Sequence, residues 1–178
     1  MHLQTTGFAG NMLLGAGIIP LLVDLVKESP PSRADSVDAL IAANRAVSFL
    51  DNFTYSFASA AGPFTTANGL QVFVARVNQL VKRGVQQQQN QDASMQVEGG
   101  SARADQDMLS FPESTLLKSL FRCLQRLMGS GGNAEGVRNL IDSSLVESCR
   151  LVMQNRKTFG PQNMALGGLL IPTAGEIY

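Results

Sequence analysis

Tryptophan is absent from this chain, histidine occurs once, as His2, and cysteine twice, as Cys123 and Cys149. A zinc site draws three or four ligands from Cys, His and carboxylates, and a Ser–His–Asp set needs a histidine beside its serine. The composition argues against both, and no cofactor is expected. Two cysteines outside any C-x-x-C spacing make no disulfide framework, which points to a reducing compartment. Charge is also scarce: 16% of the 178 residues carry it, and fourteen basic residues balance fourteen acidic ones. Neutralising phosphates needs a basic surplus, as does a polybasic membrane anchor, so the balance speaks against nucleic acid and membrane as partners. A surface this sparsely charged is poorly soluble alone, a first indication that the chain is part of something larger. Long apolar runs are missing too. The stretch from Ile18 to Val26 is interrupted by Asp24, well short of the ~20 residues that span a bilayer. No basic segment leads an apolar one at the N-terminus, so no signal peptide is expected. The expected setting is the cytoplasm, the nucleus or both.

What is present is helical spacing. Met12 to Leu14 is a short apolar stub closed by Gly15 and Gly17. Ile18, Ile19, Leu21, Leu22, Leu25 and Val26 then recur at the intervals of one helix face, with Pro20 in the first turn, where a missing N–H costs nothing. Asp35 or Ser36 can cap the next helix. That helix has apolar positions Val37, Leu40, Ile41, Val47, Leu50 and Phe53, and its alanines (39, 42, 43 and 46) suit it to packing between neighbours. Gly62-Pro63 reads as a break, Phe64 to Ala67 as a turn, and Asn68-Gly69 as a stop before a helix from Leu70 to Val81. Ser110-x-x-Glu113 matches a capping box. The helix behind it carries Leu116, Leu117, Leu120, Phe121, Leu124, Leu127 and Met128 on one face and ends in Gly129 to Gly132. Asn133 can cap a short helix through Ile141, and another helix carries Leu145, Val146, Cys149, Val152 and Met153. Thr158 to Pro161 reads as a turn, and Met164 to Ile171 as a last apolar run. No run alternates over a strand length, so the expected fold class is all-α.

Residues 84–109, with their glutamine tract and Gly99-Gly100-Ser101, offer little apolar surface against the entropy of ordering. They read as a disordered insertion between two helical stretches, 1–83 and 110–178. Helices that follow small-residue breaks start at Gly17, Gly69 and Ser144. The first two starts are 52 residues apart, and the second and third 49 once the 26-residue insertion is removed. Units of about this length resemble armadillo or HEAT repeats, which bury their apolar faces only by stacking on one another. The expected architecture is a right-handed α-solenoid segment.

Several blocks carry a family resemblance: GAGIIPLLVDLVK, then NRAVSFLDNFTYSFASAAGPFTTANGLQVFVARVNQLV, the polar insertion, LLKSLFRCLQRLM, and GVRNLIDSSLVESCRLVMQNRKTFGP. In order and spacing they resemble the N-terminal armadillo-like region of the giant HECT-type ubiquitin-protein ligases, the family that also carries ubiquitin-associated and WWE modules. The resemblance runs from about Gly15 to Pro172. It implies a helical solenoid whose concave face holds protein substrates. It also implies that ubiquitin and its conjugating enzyme engage a HECT domain outside this chain. The thioester-forming cysteine of such a domain is not here: Cys123 and Cys149 lie on apolar helix faces and read as core packing. The expected function is therefore scaffolding and substrate presentation, with the remaining domains of the same ligase as neighbours. A free-standing helical-repeat adaptor is the alternative.

Candidate surface residues follow from spacing. Lys118, Arg122 and Arg126 form a stripe at i, i+4 and i+8. The stripe reads either as a solvated helix face or as a patch for acidic substrate segments or nucleic acid. Arg76, Lys82 and Arg83 invite the same two readings. Asp51 and Asn52 can hydrogen-bond the next turn or a neighbouring repeat, and without tryptophan an asparagine-ladder peptide groove is not expected. Gly129 to Gly132 lacks the Lys-Ser or Lys-Thr of a phosphate loop.

Overall fold

A computed structural model describes residues 2–27, 36–94, 109–129 and 143–160. Among them every regular element is helical. α1 (His2–Gly15) and α2 (Ile18–Val26) are separated by Gly17, whose φ of 71° places it in the left-handed region that favours glycine. α3 (Val37–Ser56) starts at Ser36, whose Oγ accepts the Ala39 N–H at 3.2 Å. It ends where Phe57 turns extended. A 3-10 turn (Ala58–Ala60) then leads into α4 (Ala61–Thr66). Asn68, at φ 55°, turns the chain into α5 (Gly69–Ser94). α6 (Phe111–Gly129), α7 (Ser143–Gln154) and α8 (Arg156–Phe159) complete the described elements.

The strongest sequence pattern gives the core. Leu116, Leu117, Leu120, Phe121 and Leu124 of α6 are all buried, as are Leu40, Ala43, Ala46, Val47, Leu50 and Phe53 of α3. α3 lies between α2 on one side and α6 on the other, the position its alanines suggested. α5 packs on α2, α4, α6 and α7. Asn78 of α5 donates to Ser144 Oγ at 2.9 Å and accepts from Ser148 Oγ at 2.6 Å. Ten residues further along α5, Gln88 Oε1 accepts from Thr158 Oγ1 at 2.7 Å. The chain through α7 and α8 therefore runs beside α5 in the same direction. The capping box forms through its glutamate, Glu113 Oε2 accepting from the Ser110 N–H at 2.9 Å and from its hydroxyl at 2.7 Å.

The structure corrects several local expectations. α5 does not stop at residue 83 but continues through the glutamine tract to Ser94. Glutamine is a fair helix former, and this part of the helix has tertiary support. Phe159 packs so closely on Gly84 that an added Cβ would lie 2.8 Å from its ring, and Val85 is part-buried. The start of the expected insertion is thus helix, while residues 95–108 lie outside the described residues. Gly62-Pro63 breaks nothing. Both sit in the first turn of α4, where proline has no intrahelical bond to lose, and Phe64 to Thr66 continue that helix. Thr158 and Phe159 belong to α8 rather than to a turn, and both are buried. α1 starts ten residues before the expected stub. Val37 and Ile41 are exposed. The helix expected over 133–141 and the apolar run 164–171 lie outside the described residues.

Candidate functional site

Two of the three residues of the expected basic stripe face a carboxylate on α3. Asp51 of α3 is 2% exposed and lies against the C-terminal half of α6. Its Oδ2 accepts from Arg126 Nη1 at 2.7 Å and has Arg122 Nη2 at 3.6 Å. Arg126 also stacks its guanidinium 4.5 Å above the centre of the Tyr55 ring. Tyr55 lies four residues after Asp51 and so on the same face of α3. Two cations of the stripe thus tie α6 to α3, and Lys118, partly exposed one turn earlier, completes it. The tie holds one carboxylate and two guanidinium groups, leaving a net positive charge beside the exposed Tyr55 ring.

The other candidates separate. Arg76 is 2% exposed and donates to Gln79 Oε1 at 2.5 Å. It belongs to the interior, contrary to the surface readings. Arg83 pairs with Glu113 across α5 and α6. Burial alone would raise the Glu113 pKa, but the bonds from Ser110 and Arg83 outweigh it and hold the carboxyl below its ordinary value. Lys82 and Asn52 are exposed. Cys123 and Cys149 are buried free thiols. Burial, and then the charge of Asp51, push the Cys123 pKa up against the opposing pull of Arg126 and Arg122. Burial pushes Cys149 up to about 11. Neither is poised as a nucleophile, which needs the thiolate. No three His, Cys, Asp or Glu groups come together as metal ligands among the described residues, and no single described helix is long and apolar enough to cross a membrane.

A second feature escaped the sequence reading. An open groove of about 700 Å³ lies between α2 and α3, and Leu13 of α1 also lines it. Ile18, Leu22 and Leu25 form one wall, at i, i+4 and i+7. Asp38, Ile41, Ala42, Arg45, Ala46 and Phe49 form the other, at the spacing of a single helical face. Leu25 is 52% exposed and Ile41 40%. Ile41 was among the apolar positions expected of its helix and Phe49 was not, and only the fold shows that no described helix covers either.

No solved structure matches the chain. It is 26% identical over 158 residues to the E3 ubiquitin-protein ligase ptr1 of Schizosaccharomyces pombe, covering 89% of this chain and 5% of that protein. It is also 26% identical over 168 residues to the E3 ubiquitin-protein ligase HUWE1 of Mus musculus, covering 90% of this chain and 4% of that protein. The chain therefore spans about a twentieth of the length of the curated relatives it matches. The family model for a domain of unknown function, DUF913, matches residues 44–166, from the middle of α3 past the end of α8. With most of its length inside that model, and with ubiquitin ligases as its relatives, the chain belongs to the DUF913 family.

Proposed function

We propose that this chain is a scaffold and substrate-presenting segment of a HECT-type ubiquitin-protein ligase, and that ubiquitin transfer takes place in a HECT domain elsewhere in the same polypeptide. The observation that carries this reading is the match itself: nine tenths of the chain aligns within E3 ubiquitin-protein ligases of which it forms only a small part. The helix packing supports an armadillo- or HEAT-like solenoid. α2, α5 and α7 follow the three small-residue breaks and touch in succession, while α3 and α6 pack on each other as a second row. In such a stack each unit buries the apolar face of the next. The parallel course of α5 and α7 fits equivalent helices of successive units. The free buried thiols fit a cytoplasmic or nuclear setting.

Two surfaces are available for protein partners: the α2–α3 groove, and the residual positive charge of Lys118, Arg122 and Arg126 for acidic segments. The test is deletion of the matching segment from the fission-yeast relative. Thioester formation with ubiquitin should persist while modification of substrate proteins falls at least about tenfold, equivalent to a transition-state loss of about 1.4 kcal/mol. Loss of the thioester step itself, or unchanged substrate modification, would refute the assignment.

A further inference from the structure

The α2–α3 groove has a shape and chemistry that select its occupant. Its α3 wall runs from Asp38 to Phe49, about 16 Å at 1.5 Å per residue, or three helical turns. Both walls are helix faces, so their backbone groups are already paired within the helices. An extended peptide lying there would leave its own N–H and C=O groups without partners, and such groups are costly to bury. A helix satisfies them internally. An acyl chain would need an unbroken apolar lining, whereas this one carries Asp38 and Arg45. Those two charges, seven residues apart, lie on the face that also presents Ile41 and Phe49.

We propose that the groove seats a three-turn amphipathic helix of a partner protein, with apolar residues at i, i+3 or i+4 and i+7, a basic residue facing Asp38 and an acidic residue facing Arg45. This is helix-in-groove recognition, with the charge pair fixing register and excluding mismatched helices. The first two helices of a second copy are poor occupants. α1 exposes Phe8 and Met12 but contains no charged residue, and α2 has only nine residues. The inference rests on the protein-binding part of the function proposed above and not on the ligase context, so each can fail without the other.

The test uses the full 178-residue chain and three fluorescent helical peptides of about 14 residues with the same leucine pattern, long enough for three turns. Their two flanking charges, seven positions apart, are Lys and Glu, Glu and Glu, or Lys and Lys. The Lys–Glu peptide should bind the native chain about tenfold more tightly than either like-charged peptide, the size expected when an exposed ion pair is exchanged for a repulsion. Asp38→Lys should shift the preference to the Glu–Glu peptide and Arg45→Glu to the Lys–Lys peptide, whichever way the helix lies. Ile41→Glu should weaken all three at least about tenfold. Circular dichroism of each variant establishes that it is folded. Equal binding of the three peptides to the native chain, an unchanged order in either charge variant, or no saturable binding by the folded chain would overturn the proposal. So would a dimer in sedimentation that Ile41→Glu converts to monomer, because the occupant would then be a second copy.

Discussion

Replacing Asp51 by alanine should destabilise the chain more than alanine at either of its arginine partners across the α3–α6 seam. The carboxylate is 2% exposed, but its partners are not fully buried: the side chains of Arg126 and Arg122 are 36% and 57% exposed. Without Asp51 both guanidinium groups can turn to water, so the cost stays below the ~3–5 kcal/mol of breaking a fully buried pair. What is lost is one short charge-assisted hydrogen bond, worth ~1.5–3 kcal/mol. About 2 kcal/mol is therefore expected, a drop in Tm of about 4–8 °C for a domain of this size. The geometry divides the effect unequally. Arg126 makes the 2.7 Å bond and stacks on Tyr55, whereas Arg122 stands 3.6 Å away. A double-mutant cycle should give a coupling of about 1–1.5 kcal/mol between Asp51 and Arg126, and at most about 0.5 kcal/mol between Asp51 and Arg122. Urea unfolding followed by circular dichroism at 222 nm, with alanine at each position singly and in pairs, measures both. A Tm for Asp51→Ala within 1–2 °C of the parent (about 0.5 kcal/mol), or equal couplings to the two arginines, would refute this account of the seam.

Other consequences follow from the same packing. Glu113 is held below its ordinary pKa, so it contributes stability above the unfolded value, near ~4.3, and that contribution is lost as pH falls through the folded value. Urea midpoints measured between pH 6 and pH 3 should accordingly decline more steeply for the parent than for Glu113→Gln; parallel profiles would contradict it. Gly84→Ala and Gly7→Ala, the latter inside α1, should have opposite signs. The first drives a methyl to 2.8 Å from the Phe159 ring, and the second meets nothing within 4 Å. Thermal melts should show a loss of about 1 kcal/mol for the former and a gain of about 0.5 kcal/mol for the latter. Cys123 and Cys149 should resist Ellman's reagent at pH 8 in the native chain and both react in guanidinium chloride. Rapid native labelling of either would show that burial does not protect it.

The parts of the fold legible in the sequence are those fixed by short-range spacing. The Ser110/Glu113 cap, the α6 stripe from Leu116 to Leu124 and the left-handed turn at Asn68 each depend on residues within two turns of one another, and each lies where its pattern places it. Features set by distant contacts were not legible. Gly84 looks like a breaker until Phe159, 75 residues later, is seen packed on it. Asp51 and Arg126 are also 75 residues apart, so the pairing of the stripe's arginines with a carboxylate on α3 could not be read from i, i+4, i+8 spacing. Arg76 reads as a surface charge until α5 is seen surrounded by α2, α4, α6 and α7. The α2–α3 groove was half legible. Ile18, Leu22, Leu25 and Ile41 were in the pattern and Phe49 was not, and whether a neighbour covers them is a tertiary fact.

The function proposed above makes this chain a protein-binding wall for chemistry performed elsewhere in a ligase. Its most direct test is a chimera in which the chain replaces the matching segment of the fission-yeast relative, compared with the deletion. The account predicts that the chimera forms the ubiquitin thioester and regains substrate modification to within about tenfold of the parent enzyme, a transition-state difference of about 1.4 kcal/mol. A folded chimera that forms the thioester yet modifies substrate no better than the deletion would contradict it.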